Sequence, residues 1–280
     1  MRGLDPGAAD RPATRLPMLA LGLAVALVLA GCAGDRPGFT PPGILFVPTP
    51  DDVGTEMLRL AGVTSSDVVY DLGSGDGRLV IAAARQFGAR AVGIELAPDL
   101  VQSSRERAAT TGVADRTRFI WQDIFAADVG EATVVTLYLG EAINARLRPK
   151  LLAELRPGAR IVSHRFAMGD WTPDRTVTAR GPGGEHPLHL WLVPADAAGR
   201  WRLTLAGRPA SLTLVQRYQS ITGAVEWPDR LDVAGRLAGD RIRLAGGELA
   251  LEGRVRGDRM TGRATVRGAP AGEWTAERAR

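Results

Sequence analysis

Val68-Val-Tyr-Asp-Leu-Gly-Ser-Gly-Asp-Gly77 is the stretch on which the reading of this chain turns. An apolar strand runs into an acid, Asp71, and then into glycines at 73, 75 and 77, with a helical pattern from Arg78 to Phe87 directly behind. Glycine opens backbone conformations closed to other residues and leaves no Cβ in a ligand's way. A strand, a glycine turn and a helix N-terminus together cradle a nucleotide-like cofactor. Gly73, Ser74, Gly75, Asp76 and Gly77 are therefore candidate cofactor contacts, with Asp71 at the strand end. The spacing narrows the choice. A dinucleotide fingerprint needs Gly-x-Gly-x-x-Gly, but Arg78 stands where its third glycine would fall, and the glycine comes one residue early.

Working outward, two more acids follow at strand ends. Glu95 closes Arg90-Ala-Val-Gly-Ile-Glu95, where an acid meets ribose hydroxyls, and Asp123 closes Arg118-Phe-Ile-Trp-Gln-Asp123. Any one of them reads equally well as a solvated carboxylate. Three on successive strands argue for a shared site. The surrounding pattern predicts a helix over 51–61, strands over 67–72, 90–96, 117–122, 133–139 and 160–166, and helices between them, one opening at Pro98, where proline suits a first turn, and one over 141–155. Two further β-rich runs, 175–180 and 187–194, can complete the sheet. Such alternation predicts an α/β fold: a Rossmann-like, mostly parallel sheet with helices on both faces, spanning 48–195.

After Asp196 short alternating segments recur, and Gly235-Arg-Leu-Ala-Gly-Asp-Arg-Ile242 is echoed by Gly253-Arg-Val-Arg-Gly-Asp-Arg-Met260. This predicts a small antiparallel all-β domain over 196–280, as a meander, barrel or sandwich. It carries no catalytic constellation.

The N-terminus reads as an address. Arg2, Arg11 and Arg15 precede an apolar run from Leu16 to Ala30 that ends in Leu29-Ala-Gly-Cys32, a pattern that resembles a bacterial lipoprotein signal. Residues 1–32 are thus expected to be a signal segment with Cys32 as lipid attachment, and 33–47 a Pro/Gly-rich linker. The body would be anchored to a membrane of the bacterial envelope; basic residues before the run favour a cytoplasmic N-terminal flank, with the side occupied by the body left open. Cys32 is the only cysteine, so no intramolecular disulfide can form. The net charge is +4 and Lys150 the sole lysine; the arginines are scattered, which argues against nucleic acid as a partner. Nothing sets an oligomeric state.

The Asp-x-Gly-x-Gly-x-Gly pattern resembles motif I of the class I, seven-stranded S-adenosylmethionine methyltransferases. Phe46-Val-Pro-Thr-Pro50, Asp71 to Arg78, Gly93-Ile-Glu95, Asp123-Ile-Phe125, Val134 to Leu139, Leu155-Arg-Pro-Gly158 and Ser163-His-Arg-Phe166 are similar to the small protein-lysine methyltransferases that act on the ATP synthase rotor-ring protein. The resemblance implies S-adenosylmethionine as cofactor, its methionine portion held by Asp71 and the glycine turn, its ribose by Glu95 and its adenine by Asp123. Thr49 would close over it. The acceptor implied is a lysine amine on a protein, and the N-terminal anchor points to a membrane-associated one. Leu137-Tyr-Leu-Gly140 stands where base-amine methyltransferases carry Asn/Asp-Pro-Pro-Tyr.

Tyr138, His164 and Asp170 are the candidates on the acceptor side, each with an ordinary packing role as its competitor, as has Trp171 beside them. His186 and His189 read as strand decoration, and no metal cluster is expected. Ser74 lies in a glycine turn and not in Gly-x-Ser-x-Gly, which argues against a serine hydrolase. Two rivals stay open: an envelope scaffold that keeps the fold without turnover, and a small-molecule methyltransferase.

Overall fold

The computed structural model describes residues 47–279; the signal run, Cys32 and all but the last residue of the linker lie outside the described residues. Eleven elements build the first part: α1 (Asp51–Leu60), β1 (Val68–Leu72), α2 (Arg78–Phe87), β2 (Arg90–Glu95), α3 (Pro98–Thr110), β3 (Thr117–Trp121), β4 (Val134–Leu137), α4 (Glu141–Glu154), β5 (Arg160–His164), β6 (Arg175–Gly181) and β7 (Gly184–Leu192). They form a seven-stranded sheet in the order β3-β2-β1-β4-β5-β7-β6. The first five strands are parallel, and β7, the inner strand of the β6–β7 hairpin, runs antiparallel to β5. The chain order reverses between β1 and β4, and a parallel sheet opens a crevice at the carboxyl ends of its strands at such a point.

Alternation along the strands assigns the two faces. Val69, Ala91, Phe119, Val134 and Val162 pack against α1, α2 and α3. Val68, Tyr70, Leu72, Val135, Leu137 and Ile161 meet Leu147 and Leu151 of α4 on the other side. β1 is buried along its whole length, as expected of a central strand covered on both faces. β4 stops at Leu137, two residues before the sequence pattern does, so Tyr138 and Leu139 leave the sheet.

The second part consists of β8 (Gly199–Leu205), β9 (Arg208–Arg217), β10 (Ser220–Glu226), β11 (Arg230–Ala238), β12 (Arg241–Gly246), β13 (Leu249–Arg256), β14 (Arg259–Val266) and β15 (Ala269–Arg278). Each strand pairs with its predecessor, and β15 returns to β8 to close the barrel. Of the three architectures open to the sequence, the barrel is the one that forms. The repeated Gly-Asp dipeptides are its hairpin turns, with Gly239 at φ 61° and Gly257 at φ 56°. Trp201, Leu203, Leu212, Leu251, Met260 and Trp274 fill the interior.

The barrel is anchored through its β9–β10 turn. Gln219 is buried; its Oε1 accepts from Trp171 Nε1 at 2.7 Å and its Nε2 donates to the Thr172 carbonyl at 2.7 Å. Tyr218 stacks on Trp171 at 5.7 Å. Around this contact, Asp170 takes Arg148 and Arg217, and Asp174 takes Arg236. Residues 47–279 hold together as one compact unit. Replacing Gln219 with Leu leaves a buried indole N–H and a carbonyl unpaired, and is expected to destabilise the chain by about 1–3 kcal/mol. Arg217→Ala, which removes an exposed ion pair, should cost under about 1 kcal/mol. Urea midpoints of the two variants test the ranking.

Candidate functional site

A cavity of about 700 Å³ opens at the carboxyl ends of β1, β2 and β4, and Thr49, Asp71, Gly73, Ser74, Asp76, Glu95, Asp123 and Tyr138 all line it. Eight of the candidates named from the sequence thus share one cleft. Asp71 pairs in register with Gly93 on one side and Thr136 on the other, which puts its carboxyl in the middle of the sheet edge. Glu95 braces the turn: its carboxylate accepts from the backbone N–H of Gly75 at 2.8 Å, of Leu96 at 2.8 Å and of Ala97 at 3.0 Å. Asp123 lies in the turn just past β3, accepting from the Phe125 N–H at 2.9 Å.

The glycines of the turn are sterically required. At Gly73, φ is 77°, and a Cβ there would lie 2.5 Å from Leu139 Cδ2. At Gly77, φ is 75°, and a Cβ would meet the Phe119 ring at 2.7 Å. Ser74 Oγ is buried without a hydrogen-bond partner, a group that a bound ligand can satisfy.

Asp71 is the electrostatic centre. Its carboxyl accepts one side-chain hydrogen bond, from Thr136 Oγ1 at 2.7 Å. Burial pushes its pKa up to about 7, with the charges of Glu95 and Asp76 adding to the rise and the Thr136 hydrogen bond opposing it. Asp76 behaves otherwise. Burial disfavours its charge too, but Arg78 and Arg107 outweigh that and hold the carboxyl below its ordinary value. Arg78, at the position that breaks the dinucleotide pattern, clamps the site: it grips Asp76 at 2.8 Å, Asp51 at 3.4 Å and the Thr49 carbonyl at 3.2 Å. Sequence reasoning gave Arg78 no role, although its place directly after the glycine turn was the available signal.

Tyr138 walls the cavity, its ring stacked on His164 at 4.1 Å and on Phe166 at 5.8 Å. Asn144 of α4 holds that wall, donating to Ser163 Oγ at 3.0 Å and to the Phe166 carbonyl at 3.2 Å. His164 lies behind Tyr138, buried, with Thr49 and His186 as partners. Two sequence expectations change here. Asp170 stands away from the cavity, because Arg148, Arg217 and Tyr218 draw it to the barrel junction. Trp171 is buried there, in the packing role that was one of its two readings. His186 is no strand decoration: β5 and β7 pair antiparallel, and that pairing delivers its imidazole to His164. Among the described residues no cluster of His, Cys, Asp and Glu is arranged to hold a metal.

The arrangement suits the cofactor implied by the resemblance. S-adenosylmethionine offers an amino cation and ribose hydroxyls, and the cleft offers a buried carboxyl, two further acids, an orphaned hydroxyl and turns without room for side chains. A cation at Asp71 needs the ionised carboxylate. Affinity for S-adenosylmethionine should therefore rise between about pH 6 and pH 8, and Asp71→Asn should weaken binding and flatten that dependence, as read by calorimetry. The stability of the ligand-free chain runs the other way. Folded Asp71 keeps its proton to a higher pH than the unfolded carboxyl near ~3.9, so its contribution is present in full below that value and is lost as pH rises to about 7.

Comparison with known proteins agrees with this geometry. The family model described as the ANTKMT methyltransferase domain matches residues 71–175. A protein-lysine N-methyltransferase of Saccharolobus islandicus is 38% identical over 153 residues, covering 54% of this chain and 95% of the relative. An adenine nucleotide translocase lysine N-methyltransferase of Mus musculus is 36% identical over 132 residues, 47% of this chain and 55% of the relative. Among solved structures, an RNA methyltransferase from Salinibacter ruber in complex with S-adenosyl-L-homocysteine is 53% identical, with a TM-score of 0.51, covering 54% of this chain and 95% of that one. With a cofactor cleft, a seven-stranded sheet and a lysine-methylating relative matched over nearly its whole length, this chain belongs to the S-adenosylmethionine-dependent protein-lysine methyltransferases.

Proposed function

We propose that this chain transfers a methyl group from S-adenosylmethionine to the side-chain amine of a lysine on a protein. The observation that carries the reading is the convergence of Asp71, the glycine turn, Glu95 and Asp123 on one cleft whose far wall is aromatic and aliphatic: Tyr138, Leu139, Ile143, Phe125 and Phe166. The cofactor supplies an electrophilic sulfonium methyl. Alignment and exclusion of water are the tasks left to the protein. Asp71 and Glu95 orient the cofactor, and the Tyr138–Phe166 wall shapes the path of the incoming nucleophile. A lysine ammonium has a reference pKa near ~10.4, so presenting its neutral amine at pH 7 costs about 4.6 kcal/mol. An apolar channel offsets part of that by disfavouring the charged form.

The Salinibacter structure gives a second reading, since it is described as an RNA methyltransferase. The end of β4 supports the lysine reading, because Leu137-Tyr-Leu-Gly140 lacks the Asn or Asp, and the two prolines behind it, with which base-amine methyltransferases hold an exocyclic amine. Incubating the purified chain with methyl-labelled S-adenosylmethionine and cell extract separates the readings. Label on protease-sensitive material, recovered as methylated lysine, is the expected result. Label on ribonuclease-sensitive or low-mass material would sink it.

We further propose that Cys32 carries a lipid that tethers the catalytic body to an envelope membrane, and that the protein acceptor is membrane-associated. The basic flank, the apolar run and Leu29-Ala-Gly-Cys32 support this. Labelled palmitate should enter the wild-type chain and not Cys32→Ala, and protease added to intact spheroplasts reads which side the body occupies. A chain that stays in the soluble fraction without lipid label contradicts the tether.

A further inference from the structure

Behind the cavity wall runs a buried hydrogen-bonded chain. Thr49 Oγ1 lies 3.2 Å from His164 Nδ1, His164 Nε2 lies 2.9 Å from His186 Nδ1, and His186 Nε2 lies 2.9 Å from the Pro182 carbonyl. Thr49, His164 and His186 are all buried, and Thr49 lines the cavity.

The far end fixes the direction of every bond. A carbonyl only accepts, so His186 Nε2 carries the hydrogen. In the neutral ring Nδ1 is then the acceptor. A guanidinium donor, Arg165 Nη2, stands 3.5 Å from that same nitrogen, which fits a lone pair there. His164 must therefore donate from Nε2 and accept at Nδ1, consistent with burial, His186 and Arg165 holding its pKa down at about 4. Only Thr49 is left to donate to His164. With its single hydrogen directed away from the cavity, the Thr49 hydroxyl can present nothing but lone pairs to a ligand.

We propose that Thr49 Oγ1 accepts a hydrogen bond from an N–H of the incoming amine, and that His164 and His186 are positioning residues that set this polarity. The proposal rests on the lysine reading above. As the nitrogen–carbon bond forms and the carbon–sulfur bond breaks, the electron pair goes to sulfur and the nitrogen gains positive charge while keeping its hydrogens. Its N–H then becomes a charge-assisted donor, so the Thr49 contact strengthens toward the transition state. A primary amine offers two such hydrogens and a monomethylated amine one. A neutral dimethylated amine offers none, so Thr49 serves the first two transfers and not a third.

Two measurements on the full chain test this. The chain has three histidines, and ¹⁵N spectra of their imidazoles, assigned by single substitutions, read each tautomer without any substrate. Hydrogen on Nε2 of both His164 and His186 is expected, whereas hydrogen on Nδ1 of His164 overturns the polarity. In the labelled-extract assay at saturating S-adenosylmethionine, Thr49→Val should slow monomethyllysine formation about tenfold. Thr49→Ser should stay within about twofold of wild type, and any trimethyllysine step should lose less than the first. A Thr49→Val rate equal to wild type, a Thr49→Ser rate as low as Thr49→Val, or equal losses at every step overturns the role of Thr49. A wild-type chain that labels no lysine removes the lysine reading and the role of Thr49 with it, while the spectra still decide the polarity of the histidine chain.

Discussion

A carboxyl group taken out of water at the end of the central strand, with two other acids close by, is the constraint that organises this molecule. Asp71 cannot be moved along the sheet, because β1 is buried on both faces and its register with β2 and β4 is set by every apolar residue on the strand. A one-residue slip would turn each of those side chains to the opposite face. A folding element thus holds in place a group whose charge the protein alone does not neutralise. The glycine turn, Glu95 and Arg78 are arranged around that point.

The clamp made by Arg78 extends the organisation to the segment before α1. Its contact with the Thr49 carbonyl ties the Pro-Thr-Pro entry to the same turn that surrounds Asp71, while the Thr49 hydroxyl faces the histidines. Thr49 therefore joins the glycine turn to the histidines behind Tyr138. His164, stacked on Tyr138 from behind, gives that wall of the cavity a rigid backing.

Much of this was legible in the residues. Strand, acid and glycine patterning is local and repeats at known periods, so β1, β2 and the three strand-end acids could be placed in one cleft from the chain alone. The barrel was legible only as hairpins, since its closure depends on β8 meeting β15 across some seventy residues, and no local signal encodes that pairing. The place of His186 is hidden from the sequence for the same reason: its partner His164 is reached through the β5–β7 pairing and not along the chain. Asp170 failed differently. An acid close behind a strand end has the look of a site residue, but three partners around the barrel turn, Arg148, Arg217 and Tyr218, compete for it and win.

The Gln219 turn has a consequence for how the two parts can be separated. Trp171 and Trp191 form an adjoining indole pair, 6.0 Å between ring centroids, and Tyr218 and Gln219 seal Trp171 from the barrel side. Cutting the chain after Asp196 would strip that seal and expose an indole on the catalytic half. The β-barrel is thus a lid on the enzyme's own scar, and a catalytic half made alone would be sticky where the native protein is closed.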